Sequence, residues 1–143
     1  MADADALTLA FAREHPEEVA ALLARASAAE VLRVVADLPA ELAPGVVARL
    51  GRTSARMVLD TTDSPRIADW LSGAATEDAM SLLVHLDPGR RTDVLAQMRD
   101  RRLKRNLERL LVYPERTVGA IANPSVPRLG DGVTVGDAIR VLR

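Results

Sequence analysis

Glu77 and Asp78 are the residues of this 143-residue chain whose type and spacing come nearest to chemistry. They stand side by side just after Thr76, at the start of an apolar-periodic segment. Two carboxylates so placed favour the positive end of a helix macrodipole. They also offer oxygen ligands to a hard divalent cation, which is held by one or two carboxylates while keeping several waters. The pattern leaves both uses open. A second group is the basic run Arg99, Arg101, Arg102, Lys104, Arg105 and Arg109. Nucleic-acid binding needs several cations converging on phosphates, usually with aromatics that stack on bases. No aromatic interleaves here, Asp100 and Glu108 interrupt the run, and Leu103, Leu107 and Leu110 take one helical face. Nucleic acid is therefore not the expected partner. The cations make the solvated remainder of the helix, with Arg101, Arg102 and Arg105 the candidate contacts for an acidic protein surface or a neighbouring domain.

Catalysis finds little to work with. Cys is absent, and His15, His85 and the scattered Ser residues form no recognisable nucleophile–base pattern. His15 precedes a helix-opening proline and His85 sits near the end of an apolar helix, so both read as structural or surface residues. Gly130-Asp131-Gly132 is a turn signal, too short for a nucleotide-binding fingerprint. The expectation is a protein that is not an enzyme.

The elements that hold these residues are helices. One Trp, one Tyr and one Phe are the only aromatics in a chain that is 48% hydrophobic, so the core is built of Leu, Val, Ala, Ile and Met. Those residues suit packed helices better than a β-sandwich. No run of about 18 apolar residues occurs that could span a bilayer. The acidic start Met1-Ala2-Asp3-Ala4-Asp5 is wrong for a secretory signal or transit peptide, and the lack of Cys fits a cytoplasmic home. The net charge of −1 hides an asymmetry: residues 1–48 are acidic, whereas residues 89–143 are basic. A chain of this kind can attract a charged partner at either end.

Start and stop signals recur about every dozen residues up to position 112. Pro16 opens a helix whose first turn holds Glu17 and Glu18 and whose apolar face is Val19, Leu22 and Leu23. Val31, Leu32, Val34, Val35 and Leu38 mark the next. Pro39 is expected to open a third, kinked or shortened by Pro44-Gly45. Thr53 or Ser54 is expected to start one around Met57 and Val58. Asp63-Ser64-Pro65 caps the helix of Ile67, Trp70 and Leu71; Thr76 caps that of Ala79, Leu82, Leu83 and Leu86; Asp87-Pro88 caps that of Val94, Leu95 and Met98. The last uses Leu103, Leu107, Leu110 and Leu111.

Residues 15–50 echo residues 64–98 once a single one-residue gap is allowed, with an offset of 48 beyond that gap. Pro16 answers Pro65, Val19 Ile67, Leu22 Trp70, Leu23 Leu71, Glu30 Asp78, Val35 Leu83, Val46 Val94 and Val47 Leu95. A period near this length is that of stacked helical repeats, whose units bury their apolar faces only against neighbours. The predicted fold is all-α: a right-handed superhelix of short antiparallel helices of armadillo, HEAT or FliG type over residues 1–112.

At Tyr113 helical periodicity gives way to a Pro/Gly-punctuated linker, 113–125, and then to an extended piece and a new amphipathic helix, 126–143. The array of helices opened by L-P and D-P, the linker Tyr113-Pro114-Glu115 with Gly119 and Ile121, and the stretch Thr134 to Leu142 together resemble the cytosolic part of MgtE-type magnesium transporters. The resemblance implies an α-superhelical N domain, followed by the incomplete start of a CBS domain. It further implies a regulatory role: Mg2+ held between the N domain, the CBS domains and the connecting helices keeps the transmembrane pore closed. By position, Glu77 and Asp78 match the family's acidic pair and would be the Mg2+ ligands. Ser81, Gly45 and Arg116 stand where the family has acids, and Ala122-Asn123 where it has Met-Thr. Expected partners are the CBS domains and pore of the same transporter, with a homodimer the expected assembly. The alternative is a metal-independent helical scaffold that binds another protein, because the flagellar motor-switch protein FliG stacks short helices in a similar way. The apolar stripe Val135, Ala138, Ile139 and Leu142 is expected to pack back on the array or against a second copy.

Overall fold

The computed structural model describes residues 2–112 together with Thr134, Gly136, Ile139 and Arg140. Among the described residues the chain forms nine α-helices and no strand. These are α1 (Ala2–Glu14), α2 (Pro16–Leu23), α3 (Ala28–Asp37), α4 (Ala43–Val47), α5 (Arg52–Thr61), α6 (Ser64–Gly73), α7 (Thr76–His85), α8 (Pro88–Gln97) and α9 (Arg101–Leu111).

Short helices need strong punctuation, because an isolated helix of about ten residues is marginal in water. Proline provides it in one set: α2, α4, α6 and α8 each carry Pro at the first or second helical position. There its fixed φ suits the helix and its missing N–H is not needed. Side-chain caps mark others. Ser27 accepts from the Glu30 backbone N–H while the Glu30 carboxylate reaches back to the Ser27 backbone N–H, a complete capping box on α3. Asp63 accepts from Arg66 N at the start of α6, and Asp100 accepts from Arg102 N and Leu103 N at the start of α9.

The stack follows from this punctuation. Each helix from α2 onward packs on the helix two further along, so α2, α4, α6 and α8 form one row and α3, α5, α7 and α9 another. Contact between α4 and α7 ties the rows together. Apolar side chains at helical spacing meet between the rows, with Leu59, Ile67, Trp70, Leu71, Leu82, Leu83 and Leu107 all fully buried. Each such leucine contributes roughly 1.5–3 kcal/mol of burial. No polar or charged residue is buried among the described ones.

Arginines add a second, directional tie. The Arg66 guanidinium at the start of α6 donates to Ala36 O near the C-terminus of α3. Arg90 near the start of α8 donates to Leu59 O and Thr62 O at the C-terminus of α5. Cations at helix C-termini satisfy carbonyls that lack intrahelical donors and oppose the negative end of the dipole.

Several expected boundaries move. The turn beginning at Pro39 does not open a regular helix. Instead Pro44 sits at the second position of the five-residue α4, where it begins a helix rather than kinking one. α5 starts at Arg52 behind the N-cap Gly51, not at Thr53 or Ser54. Thr76 is the first residue of α7 and makes no cap; Ala75 holds the N-cap position. Asp87 is the N-cap of α8 without a capping hydrogen bond; its Oδ1 accepts instead from Arg56 Nη2 at 2.8 Å. Leu22, expected on the buried face of α2, is 65% exposed, whereas its repeat counterpart Trp70 is 1% exposed. α6 is packed between α4 and α8, whereas the helices packed on α2 are α4 and α1. The linker residues Tyr113, Pro114, Glu115 and Gly119 lie outside the described residues, as does most of the stretch 126–143; of its apolar stripe, only Ile139 is described, and it is half exposed.

Candidate functional site

Glu77 and Asp78 occupy the first turn of α7, whose N-terminal N–H groups have no side-chain cap. Both carboxylates therefore lie at the positive end of the helix dipole. Their surroundings differ. Glu77 is exposed, with no ion pair to a described residue. Asp78 turns toward α4, where the stack brings Gly45 and Arg49 against α7.

Arg49 dominates this corner. Its Nη1 donates to Asp78 Oδ1 at 2.9 Å and to Gly45 O at 2.8 Å, and its Nε lies 3.7 Å from Glu17 Oε2 on α2. One guanidinium thus links α2, α4 and α7. The pair with Asp78 is half-sheltered, since the two side chains keep 38% and 21% of their surface exposed. Gly45 faces the same point: a Cβ there would sit 3.7 Å from Asp78 Oδ2 and 3.9 Å from Arg49 Nη1. Ser81, one turn further along α7, donates from Oγ to Ala48 O at 3.4 Å. The three positions where the resemblance looks for interacting acids on this surface, 45, 78 and 81, therefore do converge, but only position 78 carries a carboxylate.

Mg2+ requires near-octahedral oxygen coordination and gives up its waters reluctantly. Asp78 is already bonded to a guanidinium, and no three His, Asp or Glu side chains among the described residues are grouped to hold a metal. The Glu17–Asp78 corner, with Arg49 inside it, does not fit a resident Mg2+ ion. Arg49 itself was missed at the level of sequence. It sits 29 residues from its acceptor and belongs to no local pattern; its charge opposite Glu77-Asp78 becomes visible once α4 is laid against α7.

The other candidates are placed more simply. Arg101, Arg102 and Arg105 are exposed on α9, while Leu107 and Leu110 are buried beneath them. Arg102, Arg105 and Arg109 border a shallow groove with the exposed Val112. Asp100, which interrupts the basic run in sequence, is the cap of this helix. The hydrogen bonds from Leu103 and Arg102 N–H hold its carboxyl below the ordinary carboxylate value. His15 packs its ring against Phe11, 4.9 Å between centroids, and lies 3.5 Å from the Glu18 carboxylate.

The pattern of the MgtE intracellular N domain matches residues 14–116. The chain belongs to this family. The MgtE N domain is a domain of a magnesium-transporter family rather than of an enzyme family, and the described residues of this chain are helical as that domain is. The MgtE match takes in α2 to α9 and ends at Arg116. A comparison with curated proteins gives no match. No helix among the described residues is long and apolar enough to cross a membrane.

Proposed function

We propose that this MgtE N domain is a regulatory module that docks against the CBS domains of a magnesium transporter and changes that docking as cytosolic Mg2+ varies. The observation that carries the reading is the family match over residues 14–116. Two exposed surfaces support it: the acidic start of α7 at Glu77 and the basic face of α9 at Arg101, Arg102 and Arg105. The two-row stack presents them on α7 and α9 as surfaces of opposite charge. Glu77 is the carboxylate of the expected pair left free to share an ion with another domain.

Hydrogen exchange on the chain in the presence of its CBS domains tests this. Docking is expected to protect amides at the start of α7 and along α9, with the protection rising at millimolar Mg2+ and weakening in Glu77→Ala. Protection that is absent at every Mg2+ level rules the reading out.

The clasp made by Arg49 favours a second reading, a metal-independent scaffold that binds a protein partner through the same surfaces. Docking that persists unchanged in the presence of a chelator supports the scaffold and opposes Mg2+ sensing.

A further inference from the structure

We propose that Arg49 is the resident cation of the Glu17–Asp78 corner, supplying from within the chain the positive charge that a divalent ion would otherwise bring. The inference rests on the regulatory reading only for the expectation of Mg2+ at the start of α7.

Three observations carry it. Arg49 reaches acceptors in all the elements that meet at the corner: Glu17 of α2, the Gly45 carbonyl of α4 and Asp78 of α7. A bridging ion joins elements in the same manner, by drawing oxygens from separate segments to one charge. The guanidinium is always protonated, and its planar fork of donors suits several oxygens at once. As part of the chain, it cannot dissociate as an ion does. Position 45, whose Cβ would lie against Asp78 Oδ2, adds a backbone carbonyl and no carboxylate. A divalent ion entering the corner would have to displace Arg49 from Asp78, against like-charge repulsion, and would gain few anionic ligands. The packing of α7 on α4 is on this account independent of Mg2+.

Removing the internal cation should uncover the site. Without Arg49, the carboxylates of Glu17 and Asp78 and the Gly45 carbonyl face one another with no positive charge between them.

Thermal unfolding of the 143-residue chain in MgCl2 and in NaCl of equal ionic strength, which separates binding from screening, is the experiment. The wild-type chain is expected to melt at the same temperature in both salts. Arg49→Ala is expected to melt lower in NaCl and to regain a few degrees, saturably, in MgCl2; Arg49→Ala/Asp78→Asn should lose that gain. Arg49→Lys, which keeps a charge in the corner, should remain indifferent to Mg2+. Should Arg49→Ala fail to fold, Arg49→Gln retains much of the side-chain stem. Paramagnetic broadening of backbone amide signals by Mn2+ then gives the same readout: broadening around residues 77–79 in the variant, absent from the wild type. A saturable Mg2+-specific rise in the wild type that Asp78→Asn abolishes overturns the proposal. So does an Arg49→Ala or Arg49→Gln variant that shows no divalent response. Because no partner domain is present, failure here leaves the CBS-docking reading standing, and failure of docking leaves this result unchanged.

Discussion

A guanidinium presents its donors in a planar fork, and Arg49 directs them to three helices at once. That geometry makes Asp78 a structural ion-pair partner and leaves Glu77 the accessible carboxylate. The neighbouring Gly45 permits a direct test of how tightly the corner is packed. Its added Cβ would meet Asp78 and Pro16 at 3.7 Å, ordinary contact distances. Gly45→Ala is therefore expected to stabilise the chain by about 0.5–1 kcal/mol, through the lower entropy of the unfolded chain and better helix propensity, as read by urea unfolding. The caps respond to acid instead. Glu30, through its hydrogen bonds with the Ser27 hydroxyl and backbone, and Asp100, through the amides of Leu103 and Arg102, are held below their ordinary values of 4.5 and 3.8. A depressed carboxyl contributes stability that is complete above its unfolded value and is lost as pH falls through its folded value. Below pH about 4 the starts of α3 and α9 should loosen first, and Glu30→Gln or Asp100→Asn should flatten that loss in an acid titration followed by backbone amide NMR.

Helices of ten residues depend on what holds their ends. In one row, proline fixes each start; between rows, Arg66 and Arg90 fasten the finish of the helix three positions earlier. Arg90 donates to two carbonyls in a partly buried setting, and hydrogen bonds from charged donors contribute more than neutral ones. Arg90→Ala should therefore cost about 1.5–3 kcal/mol, visible as a lower urea midpoint with an unchanged slope. Arg56→Ala, which removes more exposed pairs with Asp60 and Asp87, should cost about 0–1 kcal/mol. The contrast separates arginines that terminate helices from those that decorate the surface.

A stack in which every helix leans on its neighbours protects its middle more than its ends. α1 packs mainly on α2 and exposes Leu7 and Phe11, whereas α5, α6 and α7 contribute most of the fully buried side chains. Hydrogen exchange should accordingly be fastest in α1 and slowest in α5 to α7. The acidic first third and the basic α9 end make the whole domain an electrical dipole. Docking to a partner through these ends should weaken as salt rises, because exposed charges are screened beyond about 8 Å at physiological ionic strength. Measuring the affinity for the CBS domains across NaCl concentrations checks this; an affinity indifferent to salt would place the contact on apolar surface instead.

Much of the molecule is legible in the residue order because helix signals are local. The 3.6-residue spacing around Leu82 and Leu83, proline at 16 and 65, and Asp63 before Pro65 all act within a turn or two of backbone. They suffice for the helical class and most of the core; the family is legible only when the array is joined to the linker pattern from Tyr113 to Ile121. Boundaries that lack a side-chain signal, such as Gly51 and Ala75, escape the same reasoning. So does the exposure of Leu22, whose pattern matches that of Trp70 but whose neighbours do not. The candidate metal pair is the sharpest case. Adjacent carboxylates at 77 and 78 look alike in sequence, yet the packing of α4 against α7 gives Asp78 to Arg49 and leaves Glu77 to solvent. The reason is physical: helix formation depends on neighbours along the chain, whereas the availability of a charge depends on which opposite charge the stack brings within hydrogen-bonding distance.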